Sequence, residues 1–429
     1  METFEICQLV PDEKSCDVRI QIREKGFYAI ELLSSSPTAW VEEYNESVML
    51  RLFINGEHHQ DFVLFYGETL FPYRRFLGEL DPGAYKLTFQ CVSPRSRMED
   101  LSVWVEEVNI EKLVLSDHDQ LAIQFSPKLY GRSVYSDYDN LYTDTPLEML
   151  YFIEDWEHGK VIEYQMVFSH EDEGTPAQFL LAKWGRLLDI EYMVRVYINE
   201  SNEVDHVMYQ GPHHINARYK QKLLDNRRPI LQTATCNGNF TDDITSDYCF
   251  FFLPSYEWKK DEEPREVVME RFPYINDVMD WEAQRQLANN PEVFNQVSNL
   301  ERYLFVHSSV WDVALGHPTI DFTCRLLGDS TIYSSSMDQL KVGSFSAGYT
   351  GPYHYFATAI KLPTGKSYAD IEEIEVRLIN EELSSVTVKD LKLLSYHRAK
   401  GIQTHLHQHI VLELTQSEAC KPIWKKERV

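Results

Sequence analysis

The sequence predicts a mainly β protein of three units, two or three of them antiparallel β-sandwiches, with a short helical insertion before the last. Three observations carry this. Tyrosine and phenylalanine are abundant, 25 and 22 in 429 residues, and aromatic side chains suit a pleated, half-buried surface. Most apolar segments are short, alternate with polar residues and stop at Gly, Pro or Asn. Helical spacing of apolar residues sets in after Pro254 and then gives way to strand grammar again. A chain of this length exceeds what one core usually serves, at roughly 150 residues per domain.

Residues 1–112 form the first unit. GFYAIEL, SVMLRLFI, DFVLFY, YRRFLGEL and AYKLTFQ, between Gly26 and Cys91, have the spacing of an antiparallel sandwich. Asn55-Gly56 is the dipeptide a type I′ hairpin needs, since both central residues take positive φ. Asp81-Pro82-Gly83 supplies another tight turn. Trp40, Tyr73 and His58 to Gln60 suit a sugar-stacking face or ordinary core and hairpin positions equally well. Residues 113–255 form the second unit, with longer strands and more acidic loops. Alternation along Asp189 to Ile198 puts Ile190, Tyr192, Val194, Val196 and Ile198 on one face, and Asp189, Glu191, Met193, Arg195 and Tyr197 on the other. After the turn NESNE, DHVMYQ delivers His213 and His214 to the same end of the sheet. Residues 256–303, rich in Glu, Gln, Asn and Arg, carry two or three short helices and link domains. Pro264 sits where a first turn tolerates it, and Pro273 and Pro291 break the remainder into short helices. Residues 304–429 return to strands (YLFVHSSVW, TIDFTCRLL, YFATAIKL, EIEVRLI, SVTVKDLKLLSY, THLHQHIVLEL) with a turn at Pro363 to Lys366, which gives the last sandwich.

Lys plus Arg number 41 against 67 for Asp plus Glu, a formal charge of −26. Such a chain repels nucleic acid and anionic lipid headgroups. No basic start followed by an apolar run marks a secretory signal, and no stretch approaches the roughly 20 apolar residues of a membrane span. The expectation is a cytoplasmic protein, or one soluble after processing. Seven scattered cysteines without C-x-x-C exclude a zinc ribbon and a thioredoxin-like motif. They read as core thiols, Cys236 and Cys249 being the pair placed for a bridge. No G-x-S-x-G, P-loop, G-x-G-x-x-G or H-E-x-x-H is present, so serine hydrolases, nucleotide-dependent enzymes and metallopeptidases lack their marks. The two carboxylates of a glycosidase stay open.

The chemistry-bearing group is Glu171, Asp172, Glu173, Asp189 and Glu191 with His213 or His214. Carboxylates packed together raise one another's pKa or recruit a cation. One reading is a hard-cation site, calcium or magnesium before zinc, with Asp189, Glu191 and His213 as ligands. The other is a solvated acidic loop whose neighbours pair with Arg186 and Arg195. A strand EYQMVF, an acidic loop, D-x-E opening LLDIEYMVRVYI, a short turn and a strand ending VMYQGPHH succeed one another here. This order resembles that of the necrosis-inducing cytolysin family and the vacuolar protein sorting sixty-two family, over roughly Leu121 to Thr235. The resemblance implies a β-sandwich in which Asp189 and Glu191 inherit the acidic pair and His213 the imidazole. Ile190 replaces the family's Trp, and WGRLL replaces the cytolysins' His-rich lead-in. The fuller string, TDTPL, EYxxxFSxEDxGT and AxWGRxxDIE, is also similar to bacterial proteins of no assigned activity.

His405, His407 and His409 share one strand face by period two. They are either chelators of zinc, nickel or copper or simply solvent-facing histidines. Glu154 to His158, before Gly159, reads as a hairpin turn. The function these features favour is a non-enzymatic multidomain binding protein for a glycan, small molecule or surface ligand, with a structural or ligand-bridging cation. The rival is a metal-assisted hydrolase of a carbohydrate or lipid headgroup. In it Glu171 or Asp172 is the general base, Asp189 and Glu191 are ligands, His213 is acid or ligand, and Arg186 steadies an anionic group. A membrane-active protein ranks third, because no basic or apolar insertion face is legible. An enzyme requires the HEDEGT loop to converge on Asp189 and Glu191 in one pocket; a binding module tolerates an open groove.

Overall fold

The computed structural model describes residues 2–5 and 8–9 as backbone, and residues 15–36, 47–92, 103–133, 145–169, 175–289, 297–313, 316–343 and 345–426. It is mainly β, as expected. The chain folds into two compact units, each assembled from two separate segments. One is Met1–Asp172 with Asp189–Glu257; the other is Glu173–Leu188 with Trp258–Val429.

The first unit begins with two antiparallel sheets. One runs in the order Cys16–Ile22, Gly83–Cys91, Val48–Ile54, Glu57–Leu64; the other in the order Glu2–Glu5, Val103–Lys112, Gly26–Ser35, Phe71–Leu80, with Gln8–Leu9 beside Val103. Strict alternation along Cys16–Ile22 buries Val18, Ile20 and Ile22 and exposes the residues between them, the period-two pattern of a sheet with one wet face. Asn55 and Gly56 take φ of 53° and 87° and close the expected hairpin. The Asp81-Pro82 turn instead carries the chain from one sheet to the other.

A six-stranded sheet comes next, in the order Ile215–Arg218, Val204–Gly211, Asp189–Asn199, Gly159–Phe168, Pro146–Trp156, Pro254–Glu257. Glu157 and His158 form the tip of the hairpin between two of these strands. The last pairing is parallel, as is Lys128–Tyr130 with Ile230–Thr233 in a smaller four-stranded sheet, so this region is not purely antiparallel. A helix at Asp117–Phe125 interrupts the strand grammar. Ser116 caps it reciprocally with Asp119, and it buries Ala122, Ile123 and Phe125.

In the second unit, Tyr355–Lys361, Tyr303–Trp311, Ser385–His397 and Gly401–Thr415 form one antiparallel sheet. Ile332–Ser334, Ile320–Leu326, Ile371–Leu378 and Cys420–Lys425 form another. Leu304, Val306, Phe322, Ile374, Val376, Val388, Leu391 and Leu393 are buried in a single core. After Pro264 come a turn of 3₁₀ helix, the short helix Val268–Arg271 and, beyond Pro273, the helix Tyr274–Asn289; Pro291 lies outside the described residues. These helices are tied to the sheet by Lys392 on Glu270 and Arg398 on Asp280. The helix Ala177–Trp184, ended by Gly185 at φ 63°, also belongs here, with Thr358 Oγ1 donating to the Ala182 carbonyl at 2.5 Å. The six described cysteines are thiols, with no bridge between Cys236 and Cys249. Cys16, Cys249 and Cys324 are buried, but Cys236 and Cys420 are exposed, so those two are not core thiols. No helix among the described residues is long and apolar enough to cross a membrane.

Candidate functional site

The acidic pair opens the Asp189–Asn199 strand, and the register of that strand corrects the expected face. Gln165 pairs with Tyr192 and Tyr164 with Val194, so Met193 is an extra residue, a β-bulge. One inserted residue inverts the alternation beyond it. Asp189 and Glu191, opposite Phe168 and Met166, therefore share their face with Val194 and Val196, opposite Tyr164 and Ile162. Arg195 emerges on the other face, where it pairs with Glu163 and lies over the Tyr192 ring at 4.4 Å. It is not a partner of the acidic pair. Asp189 is buried at 2 % exposure. Gly238, at φ 58°, roofs it so closely that a Cβ there would stand 2.6 Å from Asp189 Oδ2 and 3.1 Å from Glu191 Cγ.

The imidazole that reaches this pair is His214, not His213. His214 Nδ1 lies 3.7 Å from Glu191 Oε2, and Asn237 Nδ2 stands 3.1 Å from its Nε2. A donating Asn237 makes Nε2 the acceptor and leaves the N–H on Nδ1, towards the carboxylate. Gln210 Nε2 donates to the same Glu191 oxygen. His213 is exposed and comes after Pro212 at φ 61°, with His214 at φ 57°. Two consecutive residues in the left-handed region bring the second imidazole, itself still exposed, to Glu191, and backbone so placed is a recurrent mark of functional loops. Arg186 belongs to the other unit, Glu173–Leu188 with Trp258–Val429. Its Nε donates to Glu266 Oε1 at 2.8 Å, its Nη1 donates to the Leu188 carbonyl, and both partners of the ion pair are nearly fully buried. That pair engages the guanidinium and removes it as an anion-steadying group. Glu171, Asp172 and Glu173 of the HEDEGT loop, like Trp40 of the first unit, lie outside the described residues.

A second constellation sits on the sheet of the C-terminal sandwich. A cross-strand row joins His307, Lys392 and His407. Above it Glu270 accepts two hydrogen bonds from Lys392 Nζ, at 2.6 and 2.7 Å. Beside the row Asp390 is the odd residue of a bulge, since Ser309 pairs with Lys389 and Ser308 with Leu391, and it holds φ 59°. Its carboxylate accepts from Tyr355 Oη at 2.6 Å and meets His409 Nδ1. With Glu262, Glu263 and Ser308, the side chains of His307, Lys392, His407, Glu270, Asp390 and Tyr355 line a cavity of about 120 Å³. Burial first, then the Lys392 ammonium and His407, hold the His307 imidazole neutral down to about 3. Its Nδ1 stops 3.8 Å short of Glu270. Burial and the neighbouring Asp390 carboxylate push the Tyr355 phenol up to about 12. The three alternating histidines thus reach separate partners instead of one metal: His405 stacks on Tyr368 at 3.8 Å, His407 lines the cavity and His409 meets Asp390. Sequence reasoning passed over His307, Glu270, Lys392 and Asp390. The available signal was an imidazole in the otherwise buried strand YLFVHSSVW.

No family model matches the chain, and no curated protein matches it. Among solved structures, similarity is seen to a ruminal GH26 endo-β-1,4-mannanase, at 11% identity over 29% of this chain and 28% of that one, TM-score 0.19. The carbohydrate-binding module CBM36 in complex with calcium and xylotriose gives 14% identity over 26% of this chain and 89% of that one, TM-score 0.19. The module CBM6cm-2 from Cellvibrio mixtus lichenase 5A in complex with cellotriose gives 13% over 26% and 91%, TM-score 0.18. The match spans little more than a quarter of the mannanase chain. Overlaps this slight assign neither ligand nor chemistry.

Proposed function

We propose that the protein is a β-sandwich binding protein for a hydroxyl-rich ligand such as a glycan, and that the ligand is seated in the cavity over His307, Lys392 and His407. The observation that carries this is His307. It lines the cavity nearly buried, is held neutral, and has no hydrogen-bond partner within reach among the described residues. A neutral imidazole offers one donor and one acceptor, the complement of a hydroxyl group. Around it stand fixed acceptors on Asp390 and Glu270, the Lys392 ammonium and the Tyr355 phenol, a set that orients a polyol rather than an apolar ligand. The divalent cation enters this reading at Asp189 and Glu191, with His214 in the place expected of His213. The hydrolase reading gains nothing from the geometry, since Arg186 is paired with Glu266.

The test is a glycan array followed by calorimetric titration of the full chain with the best ligand. Asp390→Asn keeps a side chain that tolerates positive φ while removing the charge, and His407→Ala removes an exposed donor. Together they should weaken binding at least about 10-fold, as expected for losing a charged hydrogen bond. Unchanged affinity in a variant of unchanged melting temperature would remove the cavity as the seat.

A further inference from the structure

His58 and Asp61 lie three residues apart on the strand Glu57–Leu64, a spacing that points to opposite faces in a regular strand. Here Phe53 pairs with His58 and Leu52 with Gln60, so His59 is a bulge and the alternation inverts across it. His58 and Asp61 consequently emerge on one side, on the face shared by their cross-strand partners Phe53 and Arg51. Cys249, from a distant part of the chain, opens a two-residue strand of the small central sheet and meets them there. His58 Nε2 is 2.9 Å from Asp61 Oδ2 and 4.0 Å from Cys249 Sγ. One nitrogen, one oxygen and one sulfur thus lie within 4.8 Å of one another. Ligand atoms around a tetrahedral zinc stand about 3.3 Å apart for N and O and about 3.6 Å for N and S, from the usual bond lengths. The N–O and N–S separations here, 2.9 and 4.0 Å, each lie within about half an ångström of those values.

The surroundings are those of an oriented ligand set. Arg51 Nε donates to the outer oxygen, Asp61 Oδ1, at 2.7 Å, which fixes the carboxylate plane and turns Oδ2 towards the histidine and the thiol. The Cys249 N–H also donates to Oδ2 at 2.9 Å. Asp61 and Cys249 are fully buried and His58 is half-buried, so one edge of the cluster stays open for a fourth ligand.

We propose that His58, Asp61 and Cys249 form a binding site for a divalent transition metal of the zinc type, with water or a ligand atom in the fourth position. A nitrogen, oxygen and sulfur donor set selects zinc or cobalt over calcium and magnesium, which take oxygen ligands, so this site is chemically separate from Asp189 and Glu191. As the metal–sulfur bond forms, the thiol proton leaves to solvent. The metal would fasten the Glu57–Leu64 strand to the Cys249–Phe250 strand, within the same compact unit.

Cobalt(II) titration of the metal-free full chain tests this. One equivalent should bind with a near-ultraviolet thiolate-to-cobalt charge-transfer band and the visible bands of tetrahedral cobalt, both abolished by zinc. Cys249→Ser should lose the charge-transfer band, and His58→Ala should weaken binding at least about 10-fold, the low end of what metal sites lose on perturbation. Cys236→Ser, which removes an exposed thiol, and Asp189→Ala with Glu191→Ala should keep the band. A folded wild-type protein without it, or a band that survives Cys249→Ser, would overturn the proposal. Should Cys249→Ser fail to fold, X-ray absorption at the zinc edge of the zinc-loaded wild-type protein must show one sulfur among the metal's ligands; a shell of nitrogen and oxygen alone would overturn it as well.

Discussion

Gly238 is the residue on which the acidic pair most directly depends. Its φ of 58° is open to glycine, and any Cβ would press into Asp189 Oδ2 and Glu191 Cγ. Gly238→Ala should therefore destabilise the protein by about 1–3 kcal/mol, combining backbone strain with steric conflict. Denaturant melts of the two proteins check this; an unchanged midpoint would mean that the loop swings clear. His307 sets a pH dependence. Its folded imidazole stays neutral down to about 3, whereas an unfolded one takes up a proton near 6.5. The unfolded state therefore binds more protons between these values, so the His307 contribution to stability is fully present above pH 6.5 and is lost as pH falls towards 3. The loss amounts to up to about 1.4 kcal/mol per pH unit. His307→Gln should flatten the decline in melts between pH 7 and pH 5. The facing groups, Glu270, Lys392 and His407, are present in both proteins, so the difference isolates the imidazole.

At the scale of elements, bulges decide which side chains meet. Met193 puts Asp189 and Glu191 among Val194 and Val196, His59 brings His58 round to Asp61, and Asp390 turns a carboxylate towards Tyr355. The strands and turns were legible in the sequence: the Asn55-Gly56 hairpin, the hairpin expected at Glu154 to His158, of which only Glu157 and His158 form the turn, the helices after Pro264 and the return to strands after Tyr303. Alternation, turn dipeptides and proline positions are local signals. The faces were not legible beyond a bulge, because a single extra residue leaves composition and periodicity nearly unchanged while exchanging inside and outside. Arg195 was expected beside Asp189 for that reason. Nor was the meeting of His58 with Cys249, which joins residues far apart in sequence, or the choice of His214 over His213, which rests on two left-handed φ angles. Asp390 gives the bulge its own test. Asp390→Gly and Asp390→Val both remove the hydrogen bonds to Tyr355 and His409, but only valine must hold φ 59° with a branched Cβ. The valine variant should be less stable than the glycine variant by about 1–2 kcal/mol in urea melts. Equal stability would show that the bulge relaxes.

For the whole molecule, a charge of −26 means that bound divalent cations also relieve self-repulsion, so a general rise in melting temperature with added cation says little by itself. The informative comparison is between variants. Asp189→Ala with Glu191→Ala should lower the melting temperature by more in calcium or magnesium than in chelator. An equal fall in both would make the pair a hydrogen-bonded support for His214 and Gln210, with no cation involved.

The division of the chain also orders its own assembly. The helix Ala177–Trp184 leaves the ribosome well before the strand Tyr355–Lys361, whose Thr358 hydroxyl it accepts and whose Ala357 packs under Gly185. Apolar positions such as Phe179, Leu180 and Leu181 must then wait through the synthesis of some 170 further residues, at 5–20 residues per second a delay of roughly ten to thirty seconds. For that interval the nascent chain presents a greasy helix with no home. A fragment begun at Trp258 would lack the helix altogether. Chaperone capture during translation, and poor solubility of such fragments, are the expected results of this one excursion of sixteen residues.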